Sequence, residues 1–536
     1  MDSRAHAILA ASRRGLLRGG AGLVALAALA PPRRAALAQP PAGADPFAFG
    51  VASGDPTPDG VVLWTRLATA PLEPGGGMPD AAVPVLWELA EDDRFARILQ
   101  RGRALAEPRL GHSVHVELAG LAPGSPYFYR FHAGAATSPT GRTRTAPPPD
   151  SRPERLRFVN AGCQMYEHGW FTAWRHIAAE PALDFVFHYG DYIYEYAGLA
   201  PGQPGGFGPA VRSHLGGETI TLADYRLRYA QYRLDPDLQA AHAAHPFIAS
   251  FDDHEVDNNW AGPFSEEDGR SWRHPIAVPP EIFALRKAAA FQAWYEFMPL
   301  RRAVLPRGPE IAAFRRLRFG RLAEIHVLDT RSFRDDQPCN DVTGPACPAV
   351  ARADAQMLGP AQEAWLTDGL ARSGATWQVL AQQVMMMRRE LPNGAISMDK
   401  WDAYPAARAR LLAAIHDRGI ANPVILSGDV HNAWAGTLRR DPSDPRSPAI
   451  ATEFTATSIT STGDGSEVTN ATAEVLRRNP HIAYFNNRRG YTLHEATASR
   501  MTATFRAVPF VTRPDAPRED RGRFVVEAGR PEVLAS

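Results

Sequence analysis

Phe187-His188-Tyr189-Gly190-Asp191-Tyr192-Ile193-Tyr194 reads as the carboxyl end of a buried strand that opens into a loop carrying a carboxylate and a phenol three residues apart. The run 183–189 is apolar enough for a strand covered on both faces, and in open α/β folds the loops at carboxyl strand ends carry the ligands. On its own the octapeptide also fits a solvated Asp at a strand-to-turn transition. Three further strand ends weigh against that reading: Gly162-Cys163-Gln164, Asp252-Asp253-His254-Glu255 and Gly428-Asp429-Val430-His431. A thiol, carboxylates and imidazoles gathered at one sheet edge repel one another or stay unsatisfied unless cations neutralise them. Asp429 and His431, two apart in an extended segment, point the same way and can share one ion.

Outward from this core, strands and helices alternate, as in a layered α/β domain. Strands are expected at 156–160, 183–189, 247–251, 377–381 and 424–427, with a hairpin over 314–328 turning at Gly320. Helices are expected at 170–179, 222–242, 282–297, 362–371 and 406–417, and strands at 491–496, 501–508 and 523–527 close the chain. Residues 47–147 differ: short alternating runs punctuated by Gly and Pro outline an all-β sandwich. The 121–130 segment resembles the late-strand region of fibronectin type III-like domains, where a tyrosine packs at a corner between sheets. The Pro-rich stretch 146–153 has linker composition. The expected organisation is a leader over 1–38, a fibronectin-like sandwich over 39–147 and a catalytic domain over 154–536.

The 536 residues are 45% apolar and 22% charged, ordinary globular values. Ser12-Arg13-Arg14-Gly15-Leu16-Leu17-Arg18, a mildly apolar run after it and Ala36-Leu37-Ala38 resemble a twin-arginine export signal with a small-residue cleavage site. Such a signal implies the twin-arginine export machinery as a partner and a periplasmic or secreted protein. No stretch of about 20 apolar residues marks a membrane span. Removing residues 1–38 takes six arginines and one aspartate, leaving 52 basic against 57 acidic residues, or −5. That balance excludes a basic footprint for nucleic acid. In an oxidising compartment Cys339 and Cys347 can close a short loop, which leaves Cys163 unpaired.

The succession of Gly-Asp, Asp-His-Glu and Gly-x-x-His resembles the calcineurin-like metallophosphoesterase superfamily, and Gly190-Asp191-x-x-Tyr194 resembles the iron-binding segment of purple acid phosphatases. Closer still is the alkaline phosphatase D family, through Val51–Pro56, Cys163, Phe251–Trp260, Leu328–Ser332, Ser427–His431 and Glu453-Phe454-Thr455. The resemblance runs from about Phe49 to Glu527. It implies Fe3+ held by Cys163, Asp191, Tyr194, Asp429 and His431, and Ca2+ sharing Asp191 and taking Asp253. Ligand softness agrees with that division. His254 and Asn258 are then expected to face the phosphate, with Arg286 as a further candidate for an equatorial oxygen.

The implied activity is hydrolysis of phosphomonoesters and phosphodiesters by a metal-activated water. A phospholipase D-like phosphodiesterase is an alternative within the same chemistry. A ferric-tyrosinate redox or iron-binding protein is another, disfavoured because it has no use for the second hard-cation carboxylate at Asp253. No Gly-x-Ser-x-Gly nucleophile elbow is present.

Overall fold

Phe185–His188, Trp377–Ala381 and Pro423–Ser427 are strands buried along their whole length. Their near-continuous apolar sequences suit parallel strands covered on both faces. They belong to two packed sheets in a computed structural model that describes residues 37–536 apart from 42, 206–207, 271–274, 443 and 445. The twin-arginine segment expected at 1–38 lies almost wholly outside the described residues. Among those described, no helix is long and apolar enough to cross a membrane.

The first sheet runs Val51–Thr57, Pro246–Ala249, Phe185–His188 and Leu156–Ala161 as parallel neighbours. Beyond Leu156–Ala161 it continues through the antiparallel strands Ile482–Ala496, Arg500–Val508, Glu519–Glu527 and Arg530–Ala535. The second places Ala323–Val327, Trp377–Ala381, Pro423–Ser427 and Ala449–Thr455 in parallel, edged by Arg315–Phe319 and Ala433–Arg439. Ile482–Ala496 serves both: residues 482–486 pair with Ala433–Arg439, and residues 492–496 pair with Leu156–Ala161.

Between the sheets lie Phe158, Phe185, Phe319, Trp377, Phe454 and Phe505. Phe158 and Phe185 stack at 4.8 Å. Each such ring taken from water contributes about 1.5–3 kcal/mol. Helices Thr172–Ala178, Leu222–Arg233, Pro236–Ala244 and Pro280–Phe297 contribute to the core on the outer face of the first sheet. Gly359–Arg372 and Pro405–Asp417 cover the second. The layers are therefore helix, sheet, sheet, helix, and the carboxyl ends of both sets of parallel strands meet at one edge. Helix starts follow local chemistry: Thr221 and Asp224 form a reciprocal capping box, and Asp235 caps the next helix ahead of Pro236.

The N-terminal β region corrects one expectation. Strands Val83–Ala90, Ile98–Ala106, Pro126–Ala133 and Gly141–Arg144 form their own sheet. The layer facing it, Val51–Thr57, Gly60–Arg66 and Ser113–Glu117, is an extension of the first catalytic sheet, joined by the pairs Ser53↔Pro246 and Gly54↔Phe247. The two units share a sheet instead of being joined only by a linker. Val61, Leu63, Val85, Tyr129 and Phe131 fill the space between the layers. Tyr127 Oη accepts the Ala122 amide at 2.9 Å, tying the corner five residues upstream.

Ala433–Arg439, Ala449–Thr455 and the first half of Ile482–Ala496 were not legible as strands. The first two are built largely of small and hydroxyl residues, and Asn486-Asn487-Arg488-Arg489 masks the third. The first two are paired on both sides and the third along Ala433–Arg439, which outweighs weak local propensity.

Candidate metal centre

Four of the expected ligands leave their strands with left-handed backbones: Cys163 (φ 53°), Asp191 (55°), Asp429 (67°) and His431 (58°). Non-glycine residues pay to adopt this region, and such strain gathers at sites that the surrounding structure over-determines. Part of that determination is Glu255, whose carboxylate accepts the amides of Tyr192 at 2.7 Å, Asp252 at 2.9 Å and Asp191 at 3.1 Å. Another part is Tyr189, whose ring packs where a Cβ on Gly162 or Gly428 would stand, at 2.6 and 2.3 Å. Only glycine at both positions lets the two sheet ends close on this ring.

The donor atoms of Cys163, Asp191 and His431 converge within 4.8 Å of one another. Cys163 Sγ donates to Asp191 Oδ2 at 3.1 Å, and Tyr194 Oη donates to the same oxygen at 2.9 Å. Tyr194 Oη also lies 3.2 Å from His431 Nε2 and 2.7 Å from Ser461 Oγ, while Thr462 Oγ1 holds His431 Nδ1 at 2.7 Å. A second group joins Asp191, Asp253 and His254, and a third joins Asp252, Asp253 and Asp429. Asp191 thus belongs to two groups, as does Asp253. Asp429, expected beside the thiol, clusters here with Asp252 and Asp253 and forms an ion pair with Lys400.

Electrostatically the cluster is strained towards neutral forms. Burial pushes the Asp191 carboxyl well above the usual range, the charges of Asp253, Asp252 and Glu255 add to this, and His254 opposes it. Burial, then Asp191 and Asp429, raise the Cys163 thiol, and burial likewise raises Tyr194. Burial also raises Asp429, against the pull of Lys400. Asp191 Oδ1, Asp252 Oδ2 and Asp253 Oδ1 have no hydrogen-bond partner in the interior. Buried acids with orphaned oxygens beside a thiol and a phenol fit cations, which reverse these shifts and hold thiol and phenol as anions.

His254 differs from the acids. Burial disfavours its imidazolium, but the carboxylates of Glu195, Asp253 and Asp191 outweigh burial and raise its pKa well above the usual value. Glu195 Oε2 holds Nδ1 at 2.8 Å, and Tyr194 packs against the ring at 4.1 Å. Asn258 is anchored through its amide to Glu195 at 2.9 Å and through Nδ2 to Glu266 at 2.9 Å. Arg286 pairs with acids other than the proposed ligands: its guanidinium is 3.0 Å from Asp257 and 3.2 Å from Glu218, and donates to Tyr225 Oη at 3.0 Å.

Several residues of the centre went unassigned from sequence alone. Arg331 is fully buried with Nε 2.6 Å from Asp252, Nη1 2.6 Å from Asp399 and Nη2 3.5 Å from Asp253. Burial opposes ionisation of Asp253, but Arg331 and His254 outweigh it and hold its carboxyl below the usual range. Lys400, Glu195 and Ser461 complete the set. Arg331 follows a strand end in the same way as Asp191, a signal that was available. Lys400 and Glu195 lie on loops with no periodicity to mark them.

Cys339 and Cys347 are bonded, as expected, and Cys163 is free and buried. The bonded loop and the residues just before it reach the centre: Asp341 Oδ2 accepts from Asn259 Nδ2 at 2.6 Å, Gln337 Nε2 donates to Asp399 Oδ1 at 2.9 Å, and Asn259 in turn donates its backbone amide to Asp253 at 2.9 Å.

Comparison with known proteins places these features in context. The family described as PhoD-like phosphatase matches residues 158–505, and the one described as PhoD-like phosphatase, N-terminal domain, matches residues 33–147. The chain is 47% identical over 485 residues to alkaline phosphatase D of Bacillus subtilis (strain 168), covering 90% of this chain and 81% of that protein. A solved structure of PhoD superposes with a TM-score of 0.88 at 45% identity, over 92% of this chain and 93% of the other. A purple acid phosphatase from yellow lupin (Lupinus luteus) seeds shares the fold at a TM-score of 0.51 and 12% identity, over 90% of this chain and 74% of that one.

Proposed function

Because the chain belongs to the PhoD-like phosphatase family and is a phosphoric ester hydrolase, we propose that it is a metal-dependent, exported phosphoesterase acting on both monoesters and diesters. Asp191 carries this reading. One of its oxygens accepts from the Cys163 thiol and the Tyr194 phenol, the other has no partner, and the side chain also groups with Asp253 and His254.

Cys163, Asp191, Tyr194 and His431 suit ferric iron, with Asp429 completing the set as the family resemblance implies; Asp253 and the shared Asp191 suit calcium. When bound, such cations supply an activated water nucleophile at neutral pH and neutralise charge on the phosphoryl oxygens. The chain's own residues do the rest. Asp191, shared between the two donor groups, fixes their spacing. His254, kept cationic and oriented by Glu195, donates to a phosphoryl or leaving-group oxygen as negative charge develops there. Asn258 offers the second hydrogen of its side-chain carboxamide beside it. Arg286 positions this turn through Asp257, a role behind the phosphate in place of the direct contact expected from sequence.

We further infer that Arg13-Arg14 direct export by the twin-arginine route to the periplasm or beyond. Residues 39–147 act as a fibronectin type III-like scaffold for the catalytic unit at 154–536. The deciding experiment is metal analysis of purified protein beside assays with p-nitrophenyl phosphate, bis-p-nitrophenyl phosphate and a phosphatidylcholine. Cleavage of both aryl esters by protein containing iron and calcium is expected. Cleavage of the phosphatidylcholine alone favours the phospholipase D-like alternative, and cleavage of none defeats the proposal.

A further inference from the structure

Of the 58 basic residues in this chain, two are lysines, Lys287 and Lys400. Arginine supplies positive charge everywhere else, and unlike lysine it is not deprotonated in proteins. Lys400 sits among carboxylates, paired with Asp399 at 2.8 Å and with Asp429. Lys287 does not. It is buried on the helix Pro280–Phe297 and lines a cavity of about 800 Å³ to which the 329–334 loop contributes Ser332 and Phe333 and none of the proposed metal ligands belongs.

Nζ of Lys287 donates to the Gly262 carbonyl at 2.8 Å and lies 4.6 Å from the Trp260 ring. Neither partner is an anion, so its charge is only weakly compensated. Burial lowers its pKa to about 8, with Asp329 and Glu310 opposing. The other cationic groups of the cavity, Arg302 and Arg307, are exposed, and among the described residues no ion pair or hydrogen bond engages either guanidinium. Glu310 is the one acidic side chain lining the cavity. Leu305, Pro306, Ile311 and Phe333 supply apolar wall, and Ser332 contributes a polar edge. Three cations against one acid, around an apolar wall of ligand-binding size, are complementary to an anion with an apolar body.

We propose that this cavity is a second ligand site, distinct from the metal centre, which takes a small amphipathic anion: Arg302 and Arg307 hold the charged head, and Lys287 presents its amine to the bound molecule from the cavity wall. Ser332 directly follows Arg331, so occupancy here touches the loop that carries Arg331 to Asp252 and Asp253.

The test uses 4-formylbenzoate, which is not a phosphate ester and so is not consumed by the hydrolase. The lone pair on Nζ adds to the aldehyde carbon, water leaves to give the imine, and added cyanoborohydride delivers hydride to the imine carbon, leaving a stable secondary amine. Peptide mapping then needs to separate two lysines and the amino terminus. Expected is labelling of Lys287 ahead of Lys400, slowed about tenfold in Arg302→Ala/Arg307→Ala, where two charge-assisted contacts are lost. Uncharged benzaldehyde should label both proteins at one rate, and benzoate should protect Lys287 in the parent protein only. Because the variant residues are exposed, folding is not at stake. Equal labelling of the parent and the double variant, or of Lys287 and Lys400, overturns the proposal. So does a Lys287 that no aldehyde reaches. None of these outcomes depends on whether the metal centre hydrolyses phosphate esters.

Discussion

Glu195 Oε2 lies 2.8 Å from His254 Nδ1, and its other oxygen accepts the Asn258 amide at 2.9 Å. One carboxylate therefore orients the His254 ring and holds the backbone at Asn258, whose carboxamide is placed by Glu266. Glu195→Gln should lower kcat by about 10–100-fold, the usual range for removing the partner that orients a functional histidine. Metal content should be unchanged. The sign of the pH effect follows from Glu195 raising the His254 pKa: without it the imidazolium is lost at lower pH, so the alkaline limb of the kcat profile should move down. A variant with parental kcat and an unmoved limb contradicts the role given to His254.

The colour of the protein tests the iron assignment. Ferric iron on a phenolate and a thiolate absorbs in the visible by charge transfer, whereas zinc, calcium or magnesium leave a protein colourless. Tyr194→Phe should shift or bleach the band, and Cys163→Ser should weaken iron retention because a hydroxyl is a poorer soft ligand. A fully loaded, colourless protein containing two zinc ions would refute the iron assignment and leave the esterase reading standing.

Arg331→Met should cost stability, not only activity. Its guanidinium is fully buried against Asp252 and Asp399, and breaking a buried pair from one side typically costs about 3–5 kcal/mol. A denaturant midpoint within error of the parent protein would show the carboxylates to be neutral there.

Glu453 gives a pH signature away from the proposed ligands. Burial lifts its carboxyl from 4.5 to about 7, against donors from Ser427, Met386 and Met387. Because the folded-state value is raised, the linked stability is fully present below pH 4.5 and is lost as pH rises through about 7. Glu453→Gln should flatten thermal stability across that window, by up to a few kcal/mol at the acidic end. Melting curves of both proteins with parallel pH dependence would contradict it.

Replacing Cys339 and Cys347 together by alanine should cost about 2–3 kcal/mol, the entropy of closing so short a loop. It should also raise KM or lower kcat, since the loop and the residues just before it brace Asn259 and Asp399 through Asp341 and Gln337. Loss of stability with unchanged kinetics would confine the disulfide to a structural role.

The strand ends were legible because four unrelated apolar runs stop at chemistry-bearing residues. The strand ends drew attention to Cys163, Asp191, the 252–255 acids, Asp429 and His431, the family resemblance selected ligands among them, and the alternation of elements around them was equally plain. What escaped was whatever depends on distance in space. Arg331 and Lys400 compensate acids far away in the chain, and no local pattern announces which cation a carboxylate meets. Arg286 shows the same dependence: nothing in its helix announced that its guanidinium would meet Asp257 and Glu218. The shared sheet was missed because Val51–Thr57 was read as a motif when it is also a strand.

The span of Ile482–Ala496 across both sheets has a mechanical consequence. Cys163, Asp191 and Asp253 extend from one sheet and Asp429 and His431 from the other, so this single strand is the axle on which the two halves of the ligand set are mounted. A clamshell opening between the sheets would have to unzip its hydrogen bonds on one side and prise Tyr189 from between Gly162 and Gly428. The two jaws are riveted, and the spacing between the halves of the ligand set is set by backbone pairing.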